Sequence, residues 1–324
     1  MPTFLLAALF LAGACWYALA GRTPEPSYRA MRRLYARTDG RFNDACLRLL
    51  RRLRPAPPPA PVSGFLGDWS VEEMRRIAAE LDERGLVMLG RKLPDPVCDA
   101  LVAFARSTEA RPLGQVTRER YVSDAARALR YDFDEHDILR QPDACRIALD
   151  GTFAAIAAAY FGCRPVYDFT TMWWTTRHGP RDYSRAAQEF HYDMDRLFFL
   201  KFFVYLTDVT EQTGPHVFVE GSHWRKPQPL RRDGRYTDAE IEAHYPRERI
   251  RHVCAPRGTV FAADTRAFHK GLPVVDGERL VLQVEFAVSR FGQNYPQPRI
   301  RWAELQQRGF ARQPDPRTFG NVIA

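Results

Sequence analysis

The chain has 324 residues, of which 45% are hydrophobic and 12% aromatic, and this composition supports a large globular core and excludes a disordered chain. Its formal net charge of +8 would suit a nucleic-acid-binding protein, but residues 1–62 hold ten arginines against three acidic residues. The rest of the chain carries 37 basic and 36 acidic side chains, so it is nearly neutral and we expect no nucleic-acid partner.

The chain begins with an uncharged apolar run over residues 4–20, which would be about 25 Å long as an α-helix, just enough to cross a bilayer. The arginines that follow it favour the cytoplasmic side of a membrane. We therefore expect a membrane anchor at the N-terminus, with the remainder of the chain in the cytoplasm. A cleaved signal peptide and a buried helix of a soluble cytoplasmic protein are the alternatives.

Residues 41–53 place leucines on one helical face and arginines around the rest, which is typical of a helix on an anionic membrane surface or of one packed on a neighbouring domain. The run PAPPPAP at 55–61 predicts a stiff extended linker. The sequence thus predicts a hydrophobic anchor and basic amphipathic segment at 1–54, a proline-rich linker at 55–62, and one large domain at 63–324.

Helical patterns precede strand patterns in the large domain. Ser70 and Glu73 form a capping box for a helix that Gly85 should end, and a further helix is expected at 143–161. From Val166 onward the pattern changes to β-branched and aromatic strands bounded by turn residues. This order predicts a mainly β fold with flanking helices (α+β), in which an antiparallel barrel or sandwich forms the core.

His191 and Asp193 are two positions apart on a predicted strand, so their side chains share one face. A third candidate ligand, His269, ends a later strand, and Arg279 follows ten residues after it. Two histidines and one carboxylate suit Fe(II) and leave three coordination positions open for a 2-oxo acid and O2. The planar guanidinium of an arginine is suited to the far carboxylate of such an acid.

These motifs resemble those of the phytanoyl-CoA dioxygenase (PhyH-like) family of Fe(II)- and 2-oxoglutarate-dependent oxygenases over most of residues 71–290. The resemblance lies in QEFHYD, in GPHVFVEGSHW and in FHKGLPVVDGERLVLQVEFA. It implies a double-stranded β-helix (jelly-roll or cupin-like) core behind the N-terminal hydrophobic helix, and a small-molecule substrate that reacts with O2. It further implies that His191, Asp193 and His269 bind the iron and that Arg279 anchors the 2-oxoglutarate.

One departure from the family pattern concerns the co-substrate pocket. Family members often have a serine or threonine two positions after the second histidine, where this chain has Gly271. We expect Tyr167 or Thr171, on the strand before the HxD motif, to supply the missing hydroxyl. Asp193 itself favours hydroxylation, because halogenating relatives have a small residue in place of the carboxylate.

Several alternatives remain open from the sequence. His216 or His223 is a substitute ligand if the strand register differs, and the polar segments 179–189 and 225–249 are either lids over the site or surface insertions. A cupin-like metalloenzyme without 2-oxoglutarate and a catalytically inactive, membrane-tethered binding protein are the competing functions. A membrane anchor favours a lipid-like or amphipathic substrate.

Overall fold

The computed structural model describes residues 1–177 and 187–324, so most of the segment 179–189 lies outside the described residues. The α-helices of the described part are α1 (Thr3–Ala20), α2 (Glu25–Thr38), α3 (Arg41–Leu53), α4 (Val71–Arg84), α5 (Asp95–Ser107), α6 (Glu135–Arg140), α7 (Pro142–Ala148), α8 (Gly151–Phe161), α9 (Asp238–Glu242), α10 (Trp302–Gln307) and α11 (Pro316–Phe319). The strands are β1 (Val62–Gly64), β2 (Gly67–Trp69), β3 (Leu86–Lys92), β4 (Glu109–Pro112), β5 (Glu119–Arg120), β6 (Arg130–Asp132), β7 (Val166–Thr176), β8 (Phe199–Tyr205), β9 (His216–Val219), β10 (Ile250–Val253), β11 (Thr259–Ala263), β12 (His269–Gly271) and β13 (Glu278–Ala287).

Local sequence signals explain the ends of several helices. The predicted capping box is present at α4, where Ser70 Oγ accepts a hydrogen bond from the Glu73 amide at 3.1 Å and the Glu73 carboxylate accepts one from the Ser70 amide at 2.8 Å. The helix predicted at 143–161 is instead two helices, because Asp150 Oδ1 accepts the Thr152 amide at 2.6 Å and so starts α8 afresh.

Two antiparallel sheets form the core, which confirms the predicted fold class. The larger sheet has the strand order β3-β11-β8-β13-β7-β6-β4-β5, and the smaller has the order β10-β9-β12. The central strand β13 alternates along its length. Its even-numbered side chains from Leu280 to Phe286 enter the main hydrophobic core with α4 and α8, whereas Arg279, Gln283 and Glu285 occupy alternate positions on the opposite face.

A register shift in the pairing of β13 with β7 changes which β7 side chains reach that opposite face. Glu285 pairs with Phe169 and Phe286 pairs with Tyr167, so Asp168 is the extra residue of a β-bulge. The Tyr167 ring consequently packs in the main core, with its centroid 6.0 Å from that of Phe286.

The N-terminal helices contact the large domain. Gly13 of α1 lies so close to Ser27 of α2 that a Cβ on it would be 2.1 Å from the Ser27 hydroxyl, and the Phe10 ring lies 4.9 Å from that of Phe291. The segment 225–249 packs against the same helices, for example through an ion pair of 2.7 Å between Arg225 and Asp44. All residues of this segment are described, and none of them lines the cavity that contains the predicted site.

Candidate metal centre

The backbone brings the three predicted ligands together from distant parts of the sequence. The His191 amide donates to the His269 carbonyl at 3.0 Å, the His269 amide donates to the His191 carbonyl at 2.8 Å, and the Asp193 amide donates to the Thr265 carbonyl at 2.8 Å. One ligand atom from each of His191, Asp193 and His269 lies within 4.8 Å of the other two. This is the arrangement of donors that a single metal ion requires.

Each histidine is held in the tautomer that a metal needs. His191 Nδ1 lies 2.9 Å from the Glu189 carbonyl oxygen, and His269 Nδ1 lies 3.0 Å from the Ala267 carbonyl oxygen. A carbonyl only accepts hydrogen bonds, so both Nδ1 atoms carry hydrogen and both Nε2 atoms present a lone pair. These Nε2 atoms lie 3.7 Å (His191) and 3.5 Å (His269) from the Asp193 carboxylate oxygens.

The electrostatics also favour the ligand form of each group. Burial lowers the pKa of His191 to about 3, with a further contribution from His269, and burial likewise lowers the pKa of His269. Burial alone would raise the pKa of Asp193, but the neighbouring Lys201 ammonium holds it well below its usual range. Two neutral imidazoles and an ionised carboxylate are therefore present at neutral pH, as metal binding requires.

Lys201 supports the metal centre and was not predicted from the sequence. Its Nζ donates to Asp193 Oδ2 at 2.7 Å and lies 3.5 Å from a Glu285 oxygen, and only 6% of the residue is exposed. Because Lys201 engages Oδ2, the other oxygen of Asp193 is left for a metal. A charged residue inside the apolar strand FFLKFFVYL was the signal that could have revealed it.

Arg279 has the properties expected of a carboxylate-binding residue. The residue is 3% exposed, and the one hydrogen bond of its guanidinium in the described part of the chain is from Nη2 to Thr175 Oγ1 at 3.3 Å. Its Nε and Nη1 have no partner among the described residues, and burial lowers its pKa to about 10. A buried cation with unpaired N–H groups is costly, and a bound carboxylate would satisfy them.

The hydroxyl beside Arg279 comes from a residue that the sequence reasoning missed. Thr175 lies directly opposite Arg279 in the β7–β13 pairing, while Thr171 lines the cavity four residues away. The structure does not bring Tyr167 to Arg279, because Tyr167 lies eight residues before Thr175 on β7, about 26 Å along the strand, and the bulge at Asp168 also turns it into the core. A Cβ on Gly271 would lie 3.2 Å from Arg279 Nη2, so the glycine keeps this side of the guanidinium open.

A cavity of about 1010 Å³ connects these residues. Near the histidines it is bordered by Arg279, Gly271 and Thr175, and further along β13 by Gln283, about 13 Å from Arg279 at the usual rise of a strand. The remaining wall carries carboxylates and aromatic rings that the sequence reasoning did not assign, including Glu135, Asp195, Phe169 and Tyr295. The cavity thus offers room for a substrate beside the metal centre.

The two substitute ligands considered from the sequence do not join the cluster. His216 lines the cavity, but its Nδ1 lies 3.0 Å from the Tyr205 hydroxyl and its ring packs on Phe203. His223 is buried elsewhere, with its Nε2 3.1 Å from the Asp82 carbonyl oxygen. Within the described residues, the metal-ligating cluster consists of His191, Asp193 and His269.

Comparison with known proteins gives one family match and several similar structures. The family model described as Phytanoyl-CoA dioxygenase (PhyH) matches residues 61–278. AviO1 from Streptomyces viridochromogenes Tue57 is 18% identical over 68% of this chain and 97% of its own, with a TM-score of 0.44. HygX from Streptomyces hygroscopicus, with nickel and 2-oxoglutarate bound, is 14% identical over 70% of this chain and 90% of its own, with a TM-score of 0.47. EctD from S. alaskensis, with bound Fe, is 17% identical over 72% of this chain and 82% of its own, with a TM-score of 0.45. No curated protein matches the sequence.

Proposed function

The chain belongs to the phytanoyl-CoA dioxygenase family, and from this premise we propose that it hydroxylates a small-molecule substrate. The family predicted from the sequence motifs is confirmed, as are Fe(II) and 2-oxoglutarate as its cofactors. The protein is therefore a non-haem oxygenase of the Fe(II)- and 2-oxoglutarate-dependent class, and O2 is its second co-substrate.

The observation that carries the proposal is the presence of two complementary features in one cavity. His191, Asp193 and His269 would hold the iron, and the unpaired guanidinium of Arg279, supported by Thr175, would hold the far carboxylate of 2-oxoglutarate. When bound, the iron and 2-oxoglutarate supply the oxidation of a C–H bond by O2, with release of succinate and carbon dioxide. The chain itself orients these groups and excludes water.

Two residues favour this reaction over its alternatives. Asp193 occupies the ligand position that halogenating relatives leave open, so the ligand set favours hydroxylation or a related oxidation over halogenation. Arg279 favours the use of 2-oxoglutarate over a cupin-like reaction without it, because a buried unpaired cation has no role in the latter.

Anaerobic addition of Fe(II) and 2-oxoglutarate tests the proposal. We expect a visible metal-to-ligand charge-transfer band in the wild-type protein and its loss in His191→Ala and Asp193→Ala. His252→Ala is the matched control, because His252 is a surface histidine that pairs with Glu211 at 2.9 Å. A folded wild-type protein without the band, or a band unchanged in the two cluster variants, would contradict the proposal.

We further propose that residues 4–20 hold the protein at a membrane, with the catalytic domain on the cytoplasmic side and a lipid-like or amphipathic substrate within reach. In this proposal residues 1–54 form the membrane-associated segment, 55–62 the linker and 63–324 the catalytic domain. Helix α1 is long and apolar enough to cross a bilayer, and only 17% of it is buried. Its exposed side chains include Phe4, Trp16 and Leu19, with exposed fractions of 70%, 59% and 88%.

Flotation with liposomes tests the membrane proposal. The variant Phe4→Ser/Trp16→Ser/Leu19→Ser removes exposed apolar groups and leaves the buried contacts of Phe10 in place. We expect the wild-type protein to float with the lipid and the variant to remain in the soluble fraction. Equal flotation of both would refute a role for this face.

A further inference from the structure

Two carboxylates that line the cavity have at least one oxygen without a hydrogen-bond donor among the described residues. Glu135 Oε1 accepts both the Tyr167 hydroxyl at 2.6 Å and the Thr170 amide at 2.7 Å, whereas its Oε2 has no donor among the described residues. The Asp195 side chain likewise has no hydrogen bond in the described part of the chain, and the nearest cation, Lys201, lies 3.8 Å away and is held by Asp193. Both carboxylates line the cavity of the metal centre.

An independent observation at the same wall is the side chain of Gln283. It is 6% exposed and lines the cavity, yet its amide group makes no hydrogen bond within residues 1–177 and 187–324. The rest of the side chain is buried, so its amide group is directed into the cavity, where it is free to hydrogen-bond a ligand. Two residues further along the same face of β13, Glu285 is fully buried and both of its carboxylate oxygens lack hydrogen bonds.

Each cation that lines the described part of the cavity either pairs with a carboxylate or is assigned to 2-oxoglutarate. Arg111 pairs with Asp134 at 3.1 Å, Arg130 pairs with Asp132 at 2.5 Å, and Lys201 pairs with Asp193. Arg279 is the residue that the proposed function assigns to 2-oxoglutarate. No described cation of the lining is therefore left to neutralise Glu135 and Asp195.

Aromatic rings border the same part of the cavity. The ring centroids of Phe169 and Tyr295 are 4.5 Å apart, and both rings line the cavity with the two carboxylates. Aromatic faces attract cations through their quadrupoles as well as packing on apolar groups. Carboxylates combined with aromatic rings are a common recognition chemistry for organic ammonium groups.

We propose that this wall, formed by Glu135, Asp195, Gln283, Phe169 and Tyr295, binds a protonated amine of the substrate. The substrate class is then a small molecule that carries an ammonium group, including amphipathic amines. The two carboxylates and the Gln283 carbonyl accept the N–H bonds of the ammonium, and the rings flank its carbon atoms. This inference rests on the proposed function, since it names the substrate of the same site.

The ionisation of Glu135 agrees with this assignment. Burial raises the pKa of Glu135 to about 7, and the neighbouring Asp168 adds to the effect of burial. A cation bound at Oε2 would stabilise the ionised carboxylate and supply the countercharge that the described lining lacks.

Three probes of the same shape and different charge test the inference: benzylamine, benzyl alcohol and benzoate. Each is titrated anaerobically into the protein loaded with Fe(II) and saturating 2-oxoglutarate, and binding is followed by the shift of the charge-transfer band. We expect benzylamine to bind at least about tenfold more tightly than the other two, because one charge-assisted hydrogen bond increases the binding affinity about tenfold or more. Glu135→Gln and Asp195→Asn should each remove about tenfold of that preference.

Glu248→Gln is the matched control, because Glu248 is exposed and does not line the cavity. This variant should keep the full preference for benzylamine. Absence of a benzylamine preference in a protein that shows the charge-transfer band overturns the amine assignment and leaves the oxygenase proposal intact. Absence of the band in the wild-type protein overturns both. If Asp195→Asn loses the band because it lies close to the metal centre, Glu135→Gln alone decides, and an unchanged preference in that variant overturns the assignment.

Discussion

Replacement of Arg279 by methionine should stabilise the ligand-free protein while it weakens 2-oxoglutarate binding. Burial lowers the pKa of this guanidinium from 12.5 to about 10, which corresponds to a cost of about 3 kcal/mol for the charged form. At pH 7 the group is charged in both the folded and the unfolded chain, so the whole cost acts on the folded state. Loss of the hydrogen bond to Thr175 removes about 1 kcal/mol. We expect a net gain of about 1–2 kcal/mol in the free energy of unfolding.

The effect on 2-oxoglutarate has the opposite sign. Two charge-assisted hydrogen bonds of about 1.5–3 kcal/mol each would be lost, which corresponds to a decrease in affinity of about 10²–10⁴-fold. Anaerobic titration of the Fe(II)-loaded protein with 2-oxoglutarate measures the affinity, and urea unfolding of the metal-free protein measures the stability. At about 100 times its Kd, 2-oxoglutarate stabilises the Fe(II)-loaded wild-type protein by about 2.7 kcal/mol, so urea unfolding of the two Fe(II)-loaded proteins in its presence should show the reverse order of stabilities.

Arg196→Met is the matched comparison. Arg196 is as deeply buried, at 1% exposure, but its Nε and Nη2 donate to the buried Asp168 carboxylate at 2.5 and 2.7 Å. Its removal leaves that carboxylate without its main partner and should cost about 3–5 kcal/mol. If Arg279→Met is destabilised as much as Arg196→Met, or if it binds 2-oxoglutarate with wild-type affinity, the role assigned to Arg279 is wrong.

Three further substitutions have defined outcomes. Gly271→Ala should weaken 2-oxoglutarate binding about fivefold without loss of iron, because its Cβ would lie 3.2 Å from Arg279 Nη2; the same anaerobic titration measures this, and unchanged affinity would contradict it. Lys201→Met should lower metal affinity about 10–100-fold by freeing Asp193 from its 2.7 Å ion pair, as measured by calorimetry with Ni(II), and an unaltered affinity would exclude a positioning role. Glu135 has its pKa raised from 4.5 to about 7, so the folded protein binds more protons than the unfolded chain in this range and stability falls as pH rises through it. In Glu135→Gln the decrease in the free energy of unfolding between pH 5 and pH 8, measured with urea, should be smaller than in the wild-type protein by up to about 3 kcal/mol. Parallel pH profiles of the two proteins would refute the prediction.

The fold class and the metal ligands could be predicted because each depends on short-range pattern. Alternation in a strand places His191 and Asp193 on one face whatever the rest of the fold does, and the succession of helices and then strands indicates the α+β architecture. The capping box at Ser70 is equally local. His269 required the family motif, since nothing in its own surroundings in the sequence distinguishes a ligand from a hydrogen-bonded core histidine.

The co-substrate and substrate walls depend on long-range register, which local pattern does not fix. Thr175 reaches Arg279 only through the β7–β13 pairing, and Tyr167 leaves the cavity only because of one extra residue in that pairing. A partial signal was nevertheless present. In LVLQVEFA and FFLKFFVYL, single polar residues interrupt strands that are otherwise apolar, and apolar runs of this kind are buried on both faces. A polar side chain there must face either a partner or a ligand, which marks Lys201, Gln283 and Glu285 as residues of the cavity face.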